Sequence, residues 1–487
     1  MKILLVPLDE RPVSIELPGL IAAIAGAQVV APPAACRPVI RAAGDVDAIP
    51  AWLQSASADA DGVVASLEGL GFGGLIPSRI GAEPVEQVLD RWAVLRTIDL
   101  PVHASVVVPR TPDSDDAFEE PEYWADWGSR LHVLSSDLGS TDTVVIATTD
   151  VPEPVRADWL SRRLRQHTLG LAALGLVGDG VIARLIAGVD DAVAGSLSAA
   201  AQRDLAAWSS RLGLDDRVVV GPGADETAAV LTARLIVDRA GVTPRVVIRC
   251  ADDDGLARVA PYETGSVLDT ARGQLRAAGA TTVDDGEAEA TLVVHAPQGD
   301  GDWAVAPPAS TDADAAARTV ALVRRELEAG RAVAVADVAQ PNGADPELVR
   351  ALLETGLFGR LDGFAAWNTA GNTIGTVAAH LAVALAARAT GTYDQRAAAR
   401  HLRLRLIEDA AYMSGARARF RRERGSRPDR HDRIDDVSAA SARLAELLNE
   451  ALDDLGASQV AAITPDQIGF PWARSFEIRV HPGAGER

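Results

Sequence analysis

The chain has 487 residues, of which 48% are hydrophobic and 24% are charged, and its formal net charge is −21. This composition is typical of a globular protein with a large core. The charge opposes nucleic acids and anionic membranes as partners, because an acidic surface repels phosphates. No apolar run approaches the roughly 20 residues of a membrane span. We expect a cytoplasmic protein, and the composition leaves its oligomeric state open.

Residue usage excludes several kinds of catalytic chemistry. Cys36 and Cys250 are far apart in the sequence, which opposes a disulfide framework or a cysteine metal cluster. Lys2 is the only lysine, so Schiff-base aldolases, pyridoxal-phosphate enzymes and P-loop NTPases, which need a placed amine, are poor candidates. We expect no cofactor, and arginine must supply the positive charge of any binding site.

In chain order, short apolar segments of strand length alternate with segments of helical composition. Gly, Pro and acidic residues bound most of the apolar segments, as expected for buried strands that end in turns. Helical composition is clear at 85–96, 227–238, 313–329 and 346–355. The predicted strands are 2–8, 28–31, 61–67, 102–108, 143–147, 181–189, 218–220, 245–250, 291–295, 332–336 and 363–366.

This alternation predicts an α/β fold with a mostly parallel sheet of βαβ units. The strands are too many for a plain eight-stranded barrel, so we expect an elaborated (β/α) barrel-like fold. Two doubly wound domains that face each other across a cleft are the alternative. Residues 1–390 form the predicted α/β catalytic or ligand-binding region, 391–456 a helical appendix, and 457–487 a segment that returns to the main domain.

Acidic and amide residues follow most of the predicted strands. In parallel α/β folds the loops after the strands form the ligand crevice. Two adjacent pairs stand out, Asp190–Asp191 and Asp225–Glu226. Helix capping is the alternative role for Asp225, because aspartate is a preferred N-cap. Further candidates for substrate binding at such positions are Asp9, Arg11, Arg110, Asp337, Asn342, Trp367, Asn368 and Asn372.

Two other segments add candidates for substrate binding. Glycines at 69, 71 and 74 formally match a dinucleotide-binding motif, but Pro77 interrupts the helix that such a site requires. We instead expect these glycines to let the backbone approach a ligand, with Glu68 and Arg79 beside it. Near the C-terminus, an alternating apolar pattern predicts that residues 471–480 rejoin the main sheet and bring back Trp472 and Arg474.

Several motifs together resemble a known family. These are PLDERPV at 7–13, GFGGLIPSR at 71–79, VDDA at 189–192, GADE at 223–226, WNTAGNT at 367–373 and PWARSFEI at 471–478. They resemble an uncharacterised bacterial family, domain of unknown function 4127, over nearly the whole chain. The resemblance implies no reaction, because the role of that family is not assigned.

Two of these motifs are also locally similar to retaining β-N-acetylhexosaminidases. GPGADE is similar to the Asp-Glu segment of one group, and VDDAVAG to the Asp-Asp segment of another. In such enzymes the first acid orients the acetamido group of the substrate, and the second donates a proton to the leaving oxygen. The similarity implies these roles for Asp225 and Glu226, or for Asp190 and Asp191.

Three functions fit these residues. The leading hypothesis is a glycoside hydrolase with paired carboxylates, exo-acting on N-acetylamino-sugar oligosaccharides, with no metal. The first alternative is a Mg- or Mn-dependent hydrolase, isomerase or lyase, since carboxylates are hard ligands. The second alternative is a non-catalytic protein that binds a small ligand. All three require that loops distant in the sequence converge on one cavity.

Overall fold

The computed structural model describes residues 1–139, 150–425, 432–457 and 459–481. Two parallel sheets and one antiparallel pair of strands are present in these ranges. The first sheet contains β1 (Lys2–Val6), β2 (Gln28–Val30), β3 (Gly62–Ser66), β4 (Val102–Val108), β5 (Arg184–Val189) and β6 (Val218–Pro222). The second contains β7 (Arg245–Cys250), β8 (Thr281–Thr282), β9 (Ala290–His295), β10 (Ala332–Asp337) and β11 (Phe364–Ala365), and the pair is β12 (Ile468–Gly469) and β13 (Arg479–Val480).

Helices connect most of these strands. The helices up to the end of the first sheet are α1 (Pro12–Ala23), α2 (Ala48–Ser57), α3 (Leu67–Phe72), α4 (Leu75–Ile80), α5 (Val85–Trp92), α6 (Trp124–Gly139), α7 (Glu153–Gly178) and α8 (Leu197–Arg211). Those that follow are α9 (Thr227–Ala240), α10 (Val267–Ala277), α11 (Ala313–Glu328), α12 (Pro346–Glu354), α13 (Ala370–Thr390), α14 (Gln395–Arg405), α15 (Arg417–Glu423) and α16 (Val437–Asp454), and a π-helix at Leu406–Ala416 joins α14 to α15.

The parallel α/β prediction is confirmed. The strand order is β2-β1-β3-β4-β5-β6 in the first sheet and β11-β10-β9-β7-β8 in the second. Both sheets are open, so the barrel-like arrangement that we expected first is wrong. The two separate parallel sheets agree with this part of the alternative. The spacing of apolar residues and the turn-forming residues predict individual strands. Closure into a barrel instead depends on pairing between strands that are distant in the sequence. The strand predicted at 143–147 lies outside the described residues.

Two helices fill the space between the sheets. The helix α9 packs against β3, β4 and β5, and α13 packs against β10, β11 and α9. One hydrophobic cluster runs from Ile3 and Leu5 of the first sheet through both helices to Val335 of the second sheet. In length and composition α13 also resembles a membrane span, which the sequence prediction missed, and 94% of its apolar window is buried in the structure.

The C-terminal helices share this core with the second sheet. Leu406, Tyr412, Phe420 and Leu444 belong to the same hydrophobic cluster as the strands. The final strands pair with each other instead of joining a main sheet, which corrects the expectation for residues 471–480. The segment between them nevertheless lies against the loops that follow the strands of the first sheet, because Arg474 Nη1 donates to Glu119 at 2.5 Å.

Candidate functional site

Loops that follow strands of both sheets line one cavity of about 200 Å³. The carboxyl ends of parallel strands share an edge of a sheet, which is why their loops can meet. This confirms that loops distant in sequence converge on one cavity. Among the predicted site residues, those that line it are Arg11, Arg79, Arg110, Asp190, Asp191, Asp225, Asn342, Asn368 and Arg474.

Arg11 joins the first strand to the cavity. The Asp9 carboxylate accepts hydrogen bonds from the Arg11 backbone at 2.9 Å and the Ser14 hydroxyl at 2.8 Å, which fixes the turn between β1 and α1. The Arg11 guanidinium donates to Asp9 at 2.7 Å and to both Asp225 oxygens at 2.6 and 3.1 Å. Asp9 therefore orients Arg11 from behind, and Arg11 orients Asp225 at the cavity.

Glu119 holds three arginines together at the cavity. It accepts hydrogen bonds from Arg79 at 3.0 Å, Arg110 at 2.9 Å and Arg474 at 2.5 Å. These arginines come from α4, from the loop after β4 and from the C-terminal segment. Glu119 lies in the loop between β4 and α6, so this loop contributes to the site.

Asp190 and Asp191 both face the cavity because the chain turns irregularly after β5. Asp190 accepts a hydrogen bond from Arg79 at 2.5 Å, and Asp191 adopts a left-handed backbone with φ of 36°. Although 31% of the Asp191 side chain is open, burial by the surrounding protein raises its pKa from 3.8 to about 7. The charges of Asp190 and Asp225 raise it further, against the opposing effect of Arg110.

Asp225 and Glu226 point in different directions. They stand at the start of α9, where successive side chains are rotated by roughly 100°. Asp225 faces the cavity, whereas Glu226 is completely buried and accepts a hydrogen bond from Gln274 Nε2 at 2.7 Å. Burial raises the Glu226 pKa to about 8. Because Glu226 does not line the cavity, its predicted role as proton donor does not fit the geometry.

The second sheet supplies a less charged side of the cavity. Tyr262, Asn342 and Asn368 line it with left-handed backbones, at φ values of 67°, 64° and 54°. Such conformations cost free energy in residues other than glycine, and they cluster at functional sites. Asn368 Nδ2 donates to Asp225 Oδ2 at 3.3 Å, so this side also contacts the acidic residues.

Trp472 supports the arginines without lining the cavity. Its ring lies 4.6 Å from Arg11 Cζ and 4.4 Å from Arg474 Cζ, measured to the ring centroid. Cations stack favourably on an indole ring. Trp472 therefore contacts two arginines of the site, but it does not line the cavity, and its predicted contact with substrate does not fit this position.

Besides Asp9 and Trp472, four further predicted binding residues do not line the cavity. Glu68 is buried and accepts a hydrogen bond from the Val107 backbone at 2.8 Å, while burial raises its pKa to about 7. Its glycine-rich segment forms α3, in which a Cβ on Gly69 would lie 2.2 Å from the Pro7 carbonyl oxygen. These glycines permit helix packing and not ligand approach, which corrects our expectation.

The other three serve the surrounding structure. Asp337 is buried and accepts from the Asp345 backbone at 2.6 Å, and Trp367 Nε1 donates to the Thr376 hydroxyl at 3.0 Å. Asn372 Oδ1 accepts from the Asp225 backbone at 3.3 Å, so it holds the turn behind Asp225. The position of a residue after a predicted strand thus indicated the edge of the sheet at which it lies, but not the direction of its side chain.

Sequence reasoning missed several residues of the cavity. Tyr262, Val305, Thr369 and Phe476 line it, and Asp302 lies behind Tyr262. A tyrosine shortly after the acidic end of β7 was a visible signal. Asp302 gave no signal, since it follows β9 in a loop without a distinctive pattern.

The acidic groups of the site are paired with arginine. Arg11 contacts Asp9 and Asp225, Arg79 contacts Asp190, and Arg110 contacts Asp191 at 3.4 Å. Within the described ranges, no group of three or more His, Cys, Asp or Glu side chains has an arrangement that could hold a metal ion.

Comparison with known sequences assigns a family. The family described as "Protein of unknown function (DUF4127)" matches residues 3–481, so the chain belongs to it. The resemblance noted from the sequence motifs is thereby confirmed. A search of curated proteins returns no match.

Proposed function

We propose that this DUF4127 protein is a glycoside hydrolase in which Asp191 donates the proton and Asp225 is the charged partner. The observation that carries the proposal is a cavity with two differently placed carboxyl groups. The Asp191 pKa is raised to about 7, while Asp225 is paired with Arg11 at 2.6 Å and with Asn368. Glycoside hydrolysis uses one protonated and one ionised carboxyl group in this manner.

The reaction needs no group beyond these residues and water. Protonated Asp191 gives its proton to the glycosidic oxygen while the bond from that oxygen to the anomeric carbon breaks. Asp225 stabilises the positive charge that develops on the sugar and accepts the proton of the attacking water. The products are a free sugar and an alcohol, and solvent returns the two carboxyl groups to their starting protonation states.

A substrate-assisted form of the same reaction uses the other pair. Asp190 and Asp191 both line the cavity, so Asp190 could orient an acetamido group while Asp191 remains the proton donor. N-acetylamino sugars are therefore the first substrates to test. In this form the acetamido oxygen attacks the anomeric carbon, and Asp225 contributes only its charge.

The lining also suits a single sugar ring. Guanidinium, carboxylate and amide groups surround a cavity of about 200 Å³, and they can donate to or accept from every hydroxyl of a polyol. So small a cavity accommodates a terminal sugar, with the next unit at its exposed edge, rather than the interior of a polysaccharide. We therefore propose exo-action on oligosaccharides.

The test is a panel of 4-nitrophenyl glycosides that includes N-acetylamino sugars, assayed with and without EDTA. We expect the wild type to release nitrophenol from one sugar in both conditions, and the Asp191→Asn variant to lose this activity. Release that EDTA abolishes would instead support the metal-dependent alternative. Binding of a sugar without release from any glycoside would support a non-catalytic binding protein.

A further inference from the structure

One buried carboxylate organises the part of the cavity lining that follows β7, β9 and β10. Asp302 is 7% exposed, and it accepts hydrogen bonds from the Tyr262 hydroxyl at 2.8 Å and from Asn342 Nδ2 at 3.1 Å. It also accepts from the backbone of Ala304 at 2.7 Å and of Val305 at 3.2 Å. Tyr262, Ala304, Val305 and Asn342 all line the cavity, and with Asp302 we call them the Asp302 wall.

The helix α15 holds this wall from behind. Arg417 Nη2 donates to the Asn342 carbonyl at 2.6 Å, and Arg421 Nη1 donates to the Ala304 carbonyl at 2.7 Å. Both arginines are buried. Since two charged side chains fix its backbone, the wall is a built surface and not a loose loop.

The wall offers an unused hydrogen-bond acceptor. An ionised carboxylate can only accept hydrogen bonds, so Asp302 fixes the Asn342 amide with its nitrogen toward Asp302. Asn342 is 6% exposed, and its Oδ1 has no hydrogen-bond partner within the described part of the chain. This oxygen is itself buried, and a buried acceptor without a partner costs free energy; a ligand hydroxyl or N–H that reached it would satisfy it.

The wall also presents apolar surface at the cavity. The side chains of Tyr262 and Val305 are among the exposed large hydrophobic residues, at 38% and 51% exposure. The hydrogen bond from the Tyr262 hydroxyl to Asp302 holds its ring in this position. Exposed aromatic and aliphatic faces bind the face of a flat ring.

We propose that the Asp302 wall binds the leaving group of the substrate, a ring that carries a hydroxyl or N–H donor. This inference rests on the proposed hydrolase, because the proposed function places the sugar that is cleaved beside Asp191 and Asp225. The leaving group must reach solvent after the reaction, and Tyr262 and Val305 of the wall are partly exposed. The substrate class is thus a glycoside whose second unit is a ring, such as another sugar or an aryl group.

The first experiment measures binding without turnover. For each sugar of the panel, calorimetry compares the methyl and 4-nitrophenyl 1-thioglycosides, whose sulfur linkage resists hydrolysis. We expect the wild type to bind the aryl compound about tenfold more tightly for at least one sugar. The Tyr262→Ala variant should lose this preference, whereas Trp208→Ala, which alters an exposed aromatic residue far along the sequence on α8, should keep it.

Two variants distinguish the contribution of the Tyr262 ring from that of the Asn342 acceptor. Tyr262→Phe keeps the ring and should retain the preference within about threefold. Asn342→Gly tolerates the left-handed backbone and removes the free acceptor, so it should weaken binding of a thio-linked disaccharide about tenfold and of the 4-nitrophenyl compound far less. Thermal unfolding of each variant shows whether it is folded.

The outcomes distinguish this inference from the proposed function. Equal affinity for methyl and aryl compounds in the wild type, including no binding of either, overturns the role of the wall. The same holds if Tyr262→Ala leaves the preference unchanged. If the preference depends on Tyr262 but no oxygen-linked glycoside is hydrolysed, the wall is a ring-binding surface and the hydrolase proposal fails.

Discussion

The two adjacent acidic pairs look alike in sequence and differ in the folded chain. After β5 the backbone takes a left-handed turn at Asp191, and both Asp190 and Asp191 face the cavity. Four residues separate β6 from α9, and Glu226, the N-cap of α9, already has a helical backbone; Asp225 faces the cavity, whereas Glu226 is buried outside it. The comparison teaches that backbone geometry after a strand, and not the residues themselves, decides whether neighbouring carboxyl groups share one site.

The sharpest test of this comparison removes one acid from each pair. Asp191→Asn should lower kcat/KM about 10³-fold on the glycoside that the screen identifies, because the amide cannot donate a proton to the leaving oxygen. Glu226→Gln should retain activity within about threefold, since Glu226 lies outside the cavity. Steady-state kinetics of both variants measure the difference. The reverse result would return the role of proton donor to Glu226.

The pH dependence of the wild type gives the next largest effect. A proton donor must be protonated, and the Asp191 pKa is raised to about 7 by burial and by neighbouring carboxylates. We expect kcat/KM to fall about tenfold per pH unit above this value. A profile measured from pH 5 to 9 checks it, with thermal unfolding at each pH as a control for structure. Activity that stays level up to pH 9 would contradict Asp191 as the donor.

The buried member of the second pair should affect stability and not turnover. Burial raises the Glu226 pKa from 4.5 to about 8. As the pH rises above 4.5, the unfolded chain releases this proton while the folded chain keeps it, so the free energy of unfolding falls until about pH 8. Glu226→Gln carries no such proton and should gain about 1–3 kcal/mol relative to the wild type between pH 5 and pH 8.

Urea unfolding at the two pH values measures this change. The matched control is Glu287→Gln, which alters an exposed glutamate and should show the same stability difference at both pH values. A Glu226→Gln variant whose advantage does not grow with pH would show that the buried carboxyl is already ionised in the folded protein.

The smallest effect concerns the support of Asp225. Asn372 Oδ1 accepts from the Asp225 backbone at 3.3 Å, so Asn372→Ala leaves that donor without this partner. We expect a loss of about 1 kcal/mol in the free energy of unfolding. Gln54→Ala removes an exposed amide that donates to Thr97 at 3.0 Å and should change stability by less. Equal losses in the two variants would show that Asn372 does not support the turn.

Local patterns predicted most strands to within a few residues, because buried parallel strands are short apolar runs that end in turns. Val102–Val108 and Arg245–Cys250 were predicted with the observed bounds. The short strands Thr281–Thr282 and Ile468–Gly469 were missed. Two residues carry no periodicity, and only their pairing with other strands defines them.

The position of the candidate site could be predicted from the sequence, but only some of the residues that line it could. Arg11, Arg79 and Asp225 were predicted from their place after a strand or beside a glycine-rich turn, and they line the cavity. Glu68 and Asp337 occupy similar sequence positions and are buried away from it. A strand end fixes which edge of the sheet a residue lies near, but the next turn sets the direction of its side chain.

The sequence by itself determined the parallel α/β class, the family and the polar loops after the strands, because these depend on short-range periodicity, turn residues and motifs. Only the tertiary structure decided that the strands form two open sheets and not a barrel. It also decided that Glu119 binds three arginines and that Asp302 binds Tyr262 and Asn342. These features depend on contacts between segments far apart in the chain. Such contacts are set by packing of the whole core, and no local pattern records them.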